Sequence, residues 1–450
     1  MKAGKFDIGI HCGTVLTMAE GKAKPQTDIF IGVRGRKIAA VEKWKLSHRK
    51  ACKKWVDHSG KVVLPGLVNG HVHLAMSLLR GLQDDVPLKE WLFETIFPLE
   101  AALVDRDFVK LGTELAALET IRFGVTTVND MYFYAETVAE VLSKAGLRAI
   151  VSQTAASFPL PEDKVLGADK EKLFRSARKK FEGHPRIEIG IAPHAPYTCS
   201  DELLKKTVQW ATETGAPLHI HVSETQGEVE DSKKEFGKTP VERLRDLGVL
   251  RKGTICAHCV HLDEKDTEIL RKSGASVVYN PDSNLKLGSG IAPIPQYLKR
   301  GIPVSIGTDG TASNNDLSIF GAMDLGTKIQ KVANRDNTAM VAEQALVMAT
   351  YGGAIALGLQ DTVGSIEIGK AADIIALDFE KPHLQPVFNV VSHLVYSAQG
   401  PEVCWVMCDG DTLFEGGKYR TLNEKKIFAE VKKMRFEILK QVDLLKSKKG

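Results

Sequence analysis

His71 and His73 stand two residues apart in "GLVNGHVHLAMSLLRG", residues 66–81, just after an apolar run. Alternate side chains of a β-strand share a face, so the two imidazoles point the same way. A neutral imidazole so placed is either a hydrogen-bonded core group or a metal ligand. Four further residues fall where short apolar runs end: His194 in "APHAPYTCS", His221 in "HIHVSET", His258 in "CAHCVHL" and Asp309 in "GTDGTASNN". His71, His73, His221 and Asp309 together offer three nitrogens and one oxygen. That set suits Zn2+, with Fe2+ or Mn2+ also compatible, and it leaves a coordination position open for water. The chemistry it predicts is catalytic rather than structural. Glu224 lies three residues past His221. Attack of an activated water on an amidine-like carbon, with loss of ammonia, needs a carboxylate there to shuttle protons. His219 shares a face with His221 one layer deeper, and reads as a core residue or a support for the ligands.

Bringing these side chains to one mouth requires strands that end together. Buried-strand patterns run through residues 67–73, 125–130, 148–153, 187–194, 217–223, 254–260, 275–280 and 303–309. Helical patterns fall at 100–122, 135–145, 170–182, 201–214, 238–248, 263–273 and 291–300. The alternation predicts an α/β chain folded as a (β/α)8 TIM barrel, whose C-terminal strand ends converge on one site. The two ends of the chain read differently. Alternation at Phe6, Ile8, Ile10 and at Ile29, Ile31, Val33 marks short strands, and the style returns in "GSIEIGKAADIIALDF" and "VCWVMCDGDTLFEGGKYR". The expected organisation is residues 1–64 and 364–423 as the two parts of a composite β-sandwich, 65–363 as the barrel, and 424–450 as an amphipathic helix. Ile427, Val431, Met434, Ile438, Val442 and Leu445 form that helix's apolar stripe, expected to lie on the domain surface with a lysine-rich face outward.

The composition fits a large globular core: 450 residues, 43% hydrophobic and 26% charged. The formal net charge of +4 is small for this length, and no dense basic block interrupts the folded part, which argues against a nucleic-acid partner. "MKAGKFDIGIHCGTV" lacks a signal-peptide core, and no apolar stretch is long enough to span a membrane. Seven scattered cysteines read as reduced thiols, so a cytoplasmic protein is expected. Cys256 and Cys259, three apart on one strand, are expected to face opposite sides rather than to form a redox pair. His11, His48, His58, His184 and His383 have no converging partner and read as surface residues.

The quoted motifs, with "NPDSNLKLGSGIAP", come in the order found in the amidohydrolase superfamily. The chain resembles that superfamily from about residue 5 to 420, and within it the 5′-methylthioadenosine/S-adenosylhomocysteine deaminase group. The resemblance implies a barrel with a sandwich built from both termini, one divalent metal, most often zinc, and a hydrolytic deaminase of adenosine-like nucleosides. It implies His71, His73, His221 and Asp309 as metal ligands, with Asp309 also accepting a proton from the water. It implies Glu224 as the donor to the ring nitrogen and His258 as the group orienting the nucleophile. His194 would bond the purine, Glu100 in "FPLE" the ribose hydroxyls, and Trp91 in "KEWLFE" would lie near the 5′ substituent. Strand four carries no lysine at its end, so the two-metal pattern of other relatives is not expected. The loop after strand three, "SQTAASFPLPEDKVLGADK", contains no arginine to read a homocysteine carboxylate; only Lys164 and Lys170 could serve. A small nucleoside is the expected partner, with homo-oligomerisation implied by the resemblance alone. Deamination of a guanine-like base, or dechlorination of a triazine, is the competing chemistry on the same scaffold.

Overall fold

The structure, a computed structural model, describes residues 5–447. Strands β1 (Phe6–Leu16), β2 (Pro25–Arg34), β3 (Lys37–Lys43) and β4 (Cys52–Pro65) come first. Eight parallel strands follow: β5 (Leu67–Val72), β6 (Val125–Tyr132), β7 (Arg148–Ala155), β8 (Ile187–Pro193), β9 (Leu218–Val222), β10 (Thr254–His258), β11 (Ser276–Tyr279) and β12 (Val304–Ile306). They pair strictly in chain order from β5 to β12. Apart from Glu188, every residue of these strands is buried, as expected for parallel strands covered on both faces. Among the described residues no ladder pairs β12 with β5. The gap is bridged by the Asp309 N–H donating to the His71 carbonyl (3.0 Å) and by Asn69, which donates to Thr308 Oγ1 (2.7 Å) and accepts from the Thr308 N–H (3.2 Å). The expected TIM barrel is therefore the fold.

The chain ends in β13 (Ile374–Leu377), β14 (Val403–Cys408), β15 (Asp411–Glu415) and β16 (Lys418–Tyr419). These join β1–β4 in one eight-stranded sheet through the antiparallel β4–β13 pair. Ile10, Ile31, Val63, Ile374, Trp405 and Met407 from both halves meet in a separate core, so the composite sandwich is a single sheet closing on its own apolar face. Buried ion pairs tie it to the barrel floor: Arg148 at the start of β7 reaches Asp373 (3.1 Å) and Asp409 (3.4 Å).

Helices Ala135–Ala145 and Asp201–Thr214 lie where the pattern placed them. The stretch 100–122 is instead two helices, Phe97–Leu103 and Arg106–Arg122. Asp105 breaks it: its carboxylate accepts the Phe108 N–H (2.8 Å) and starts a second helix. The stretch 291–300 shrinks to Ile294–Lys299, preceded by Pro281–Lys286. Helix Gln226–Phe236 has no apolar stripe to reveal it. The C-terminal helix Glu424–Ser447 buries Ile427 and Ile438 and lies against both Phe97–Leu103 and Arg106–Arg122. Among the described residues no helix is long and apolar enough to cross a membrane.

Two expectations are corrected. His58 is buried, edge-on to Trp405 at 5.0 Å, and burial lowers its pKa to about 4. His11 and His48 are largely covered as well, and His184 is half-buried; of the five, His383 alone is exposed. Cys259 lies beyond the end of β10 at φ 51°, which turns its thiol back to within 3.9 Å of the Cys256 carbonyl. The two thiols also interact directly, so the sulfurs do not face opposite sides, and both remain buried free thiols.

Candidate active site and metal centre

His71 is the fifth residue of β5, and His73 the first beyond it. Their Nε2 atoms stand 3.3 and 3.2 Å from Asp309 Oδ1, and His221 Nε2, from β9, is 3.3 Å from His71 Nε2. The far side of each ring is held. His73 Nδ1 donates to the Met131 carbonyl, and His221 Nδ1 to the His194 carbonyl at 2.7 Å. His71 Nδ1 meets His219 Nε2 at 2.9 Å, a nitrogen that the Asn129 amide also approaches. His219 thus supports a ring rather than joining the cluster. Protons on Nδ1 leave the Nε2 lone pairs pointing inward. Converging lone pairs beside a carboxylate repel one another unless a cation lies among them. The donor set therefore fits a divalent metal.

The electrostatics agree. Burial pushes His71 down to about 4 and His221 well below the usual imidazole value, so both rings are neutral. Burial opposes ionisation of Asp309, yet its bonds to His71 and His73 hold it well below the ordinary carboxylate value. His73 is pushed down by burial but raised further by Asp309, to about 9; a bound cation would displace that proton. Asp309 Oδ2 also accepts from the Ser283 (2.6 Å) and Ser313 (3.1 Å) hydroxyls.

Backbone conformations that β-strands do not use present these groups. Ser223, His258 and Asp309 have φ of 49°, 72° and 62°. Left-handed non-glycine residues cost about 1–3 kcal/mol each and cluster at functional sites. At Ser223 the turn is held by Glu228, whose buried carboxylate accepts the N–H of Ser223 (2.9 Å) and of Glu224 (2.8 Å). Glu224 then faces the cluster: Oε1 accepts from the Ser289 hydroxyl at 3.2 Å and Oε2 is 3.7 Å from His258 Nε2. Burial raises Glu224 to about 8, so at neutral pH it carries a proton. Glu228→Ala strands two buried N–H groups, each costing about 1–3 kcal/mol. The expected result is a kcat lowered at least about tenfold, with metal content unchanged by atomic absorption. A kcat within twofold of the parent's would show that Glu224 keeps its place without Glu228.

Above the cluster opens a cavity of about 780 Å³, its mouth included. Its lining holds His73, His221, Glu224, His258 and Asp309 together with Glu100, Trp91 and His194; His71 lies beneath. Glu100 is buried, pushed up to about 7 by burial, and accepts from the Tyr132 hydroxyl at 2.7 Å. Trp91 opens a short π-helical turn, Trp91–Ile96, that runs into Phe97–Leu103 and places Trp91 and Glu100 on one wall. His194 bonds Thr198 through Nδ1 at 3.1 Å. Phe97, Phe158 and Leu160 make the adjoining wall apolar. Lys164 is engaged by the Ala101 carbonyl (3.1 Å), and buried Lys170 is bonded to Glu162 (3.2 Å) and Asp163. The structure thus brings the residues nominated as metal ligands, catalytic groups and substrate contacts to one site, whereas Lys164 and Lys170 do not line it. Sequence reasoning missed Tyr132, Glu228, Ser283, Asn284, Ser289 and Ser313. Three of these sit in the quoted "NPDSNLKLGSGIAP", but hydroxyls and amides in a loop carry no spacing signal.

Comparison with known proteins points the same way. Residues 62–413 match the model of the amidohydrolase family. A 5-methylthioadenosine/S-adenosylhomocysteine deaminase of Syntrophobacter fumaroxidans is 42% identical over 96% of this chain and 98% of its own. A 5'-deoxyadenosine deaminase of Methanothermobacter thermautotrophicus is 44% identical over 82% of this chain and 86% of its own. The crystal structure of an adenosine deaminase from Xanthomonas campestris with bound zinc superposes with a TM-score of 0.93 at 35% identity, covering 97% of this chain and 99% of that one.

Proposed function

The chain belongs to the amidohydrolase family, and on that premise we propose that it deaminates an adenosine-like nucleoside to the inosine analogue and ammonia. The observation that carries this reading is the pairing, in one cavity, of a buried Glu224 beside the His/Asp cluster with a buried Glu100 on the wall above. The first matches an attacked amidine, the second a sugar. A free base or a triazine gives Glu100 nothing to hold, which disfavours the competing chemistry.

His71, His73, His221 and Asp309 would hold a divalent cation, best zinc. When bound, such an ion acts as a Lewis acid and makes water a nucleophile at neutral pH. The chain's residues do the rest. Glu100 receives the ribose hydroxyls and His194 bonds the purine. Trp91 closes the 5′ side. Glu224 gives its proton to N1 as oxygen adds at C6, and His258 orients the incoming oxygen. Two protons leave the water in all: one replaces that lost by Glu224, the other passes through Asp309 to the amino group, which departs as ammonia.

The apolar 5′ wall and the engaged state of Lys164 and Lys170 favour methylthio, deoxy and hydroxyl groups over a charged homocysteine tail. Ammonia release is to be measured over adenosine derivatives and free bases on metal-counted protein. Turnover confined to the nucleosides is expected, with a higher kcat/KM for 5′-methylthioadenosine than for S-adenosylhomocysteine. Turnover of free bases alone would refute the function; an equal or higher value for S-adenosylhomocysteine would refute the preference.

A further inference from the structure

We infer that Asn284 fixes the ring proton of His258 on Nε2, and so keeps this imidazole out of the metal's ligand set. The inference deepens the proposed reaction and rests on that reading of the site. Two overlapping triads could hold an ion: the ligand atoms of His71, His73 and Asp309 lie within 4.8 Å of one another, and so do those of His71, His221 and His258. Distance alone does not choose between His258 and the other rings. The proton does.

At His71, His73 and His221, Nδ1 faces an acceptor, so the Nε2 lone pair turns inward. At His258 the pattern is reversed. Its Nδ1 faces two carboxamide nitrogens, Asn284 Nδ2 at 2.8 Å and Asn280 Nδ2 at 3.5 Å. An amide N–H donates, so His258 Nδ1 must accept, and the neutral ring carries its proton on Nε2. An Nε2–H cannot ligate a cation. It can donate to an oxygen at the centre of the cluster, or to Glu224 Oε2, 3.7 Å away. Asn284 is itself immobilised. It is fully buried in helix Pro281–Lys286, its main-chain N–H bonds the Asn280 carbonyl (3.1 Å) and its main-chain carbonyl accepts from the Ser289 N–H (2.8 Å), so the backbone is fixed and His258 Nδ1 is the partner of its side-chain amide. That last bond also ties it to the residue whose hydroxyl holds Glu224. Asn284 is thus a positioning residue acting through His258.

The test is Asn284→Asp. A carboxylate in the same place only accepts, which draws the ring proton to Nδ1 and frees the Nε2 lone pair. The full chain is labelled with 15N in its histidine rings, and the His258 signals are assigned by their loss in His258→Gln. The parent chain is expected to show Nδ1 bare and Nε2 protonated; Asn284→Asp is expected to reverse them. With Co2+ in the site, the visible absorption should change in Asn284→Asp, because a further nitrogen becomes available. For a group supporting an active-site histidine, kcat should fall about 10–100-fold with KM held. Asn284→Ala, which adds no buried charge, should lose kcat in the same direction and guards against misfolding of the Asp variant. A parent ring with its proton on Nδ1, or an Asn284→Asp protein with parental ring signals and kcat, would overturn the inference. Reversed signals with parental kcat would leave Asn284's role standing and refute the part given to His258 in the reaction.

Discussion

Glu224→Gln should lower kcat for ammonia release by about 10²–10⁴-fold, the range that a positioned acid or base contributes. Glutamine keeps the size of the side chain and can still bond Ser289, so KM and metal content should hold. What it lacks is an acidic proton. In the parent chain that proton is retained because burial raises the carboxyl to about 8. The sign of the pH dependence follows. A raised pKa keeps the donor form at neutral pH, and the form is lost as pH rises through about 8. The parent's kcat/KM should therefore fall on the alkaline side, and Glu224→Gln should show no such limb. A fully active Glu224→Gln, measured on protein with its metal counted, would refute the mechanism.

Removal of the metal should be as severe. Activation of water by a bound cation is worth several kcal/mol, or at least about a 10³-fold rate loss on dialysis against a chelator. Zn2+ should restore the rate in the parent chain. In Asp309→Asn it should not, because the substitution deletes the only carboxylate among the four proposed ligands and disturbs the bonds from Ser283 and Ser313. Activity that survives the chelator, in protein shown to be metal-free, would sink the ligand assignment.

The barrel was legible because its strands are short apolar runs separated by helical patterns, and because histidines and an aspartate repeat at their ends. Alternation alone placed His71 and His73 together. Less legible was the backbone between strand end and site. Asp309, itself left-handed, lies three residues beyond β12, and Glu224 lies two beyond β9 past left-handed Ser223, turns that strand periodicity does not foretell. The supports were hidden for a related reason. Glu228 lies in the helix that no apolar stripe reveals, and only the fold shows its carboxylate bonded to two main-chain N–H groups. The surface reading of His58 failed because one sequence cannot show that Trp405, from the far end of the chain, covers it.

The open seam between β12 and β5 has a thermodynamic consequence. Among the described residues, the sheet pairs in order from β5 to β12 and then meets itself through a single main-chain bond and one asparagine, so that join has little main-chain pairing to hold it. His71 and His73 stand on one side of it and Asp309 on the other. A cation held by both sides is a rivet through the seam. By mass action, any ligand that binds only the closed barrel also favours closure, so the ion that equips the enzyme for chemistry would equally keep its first and last staves together.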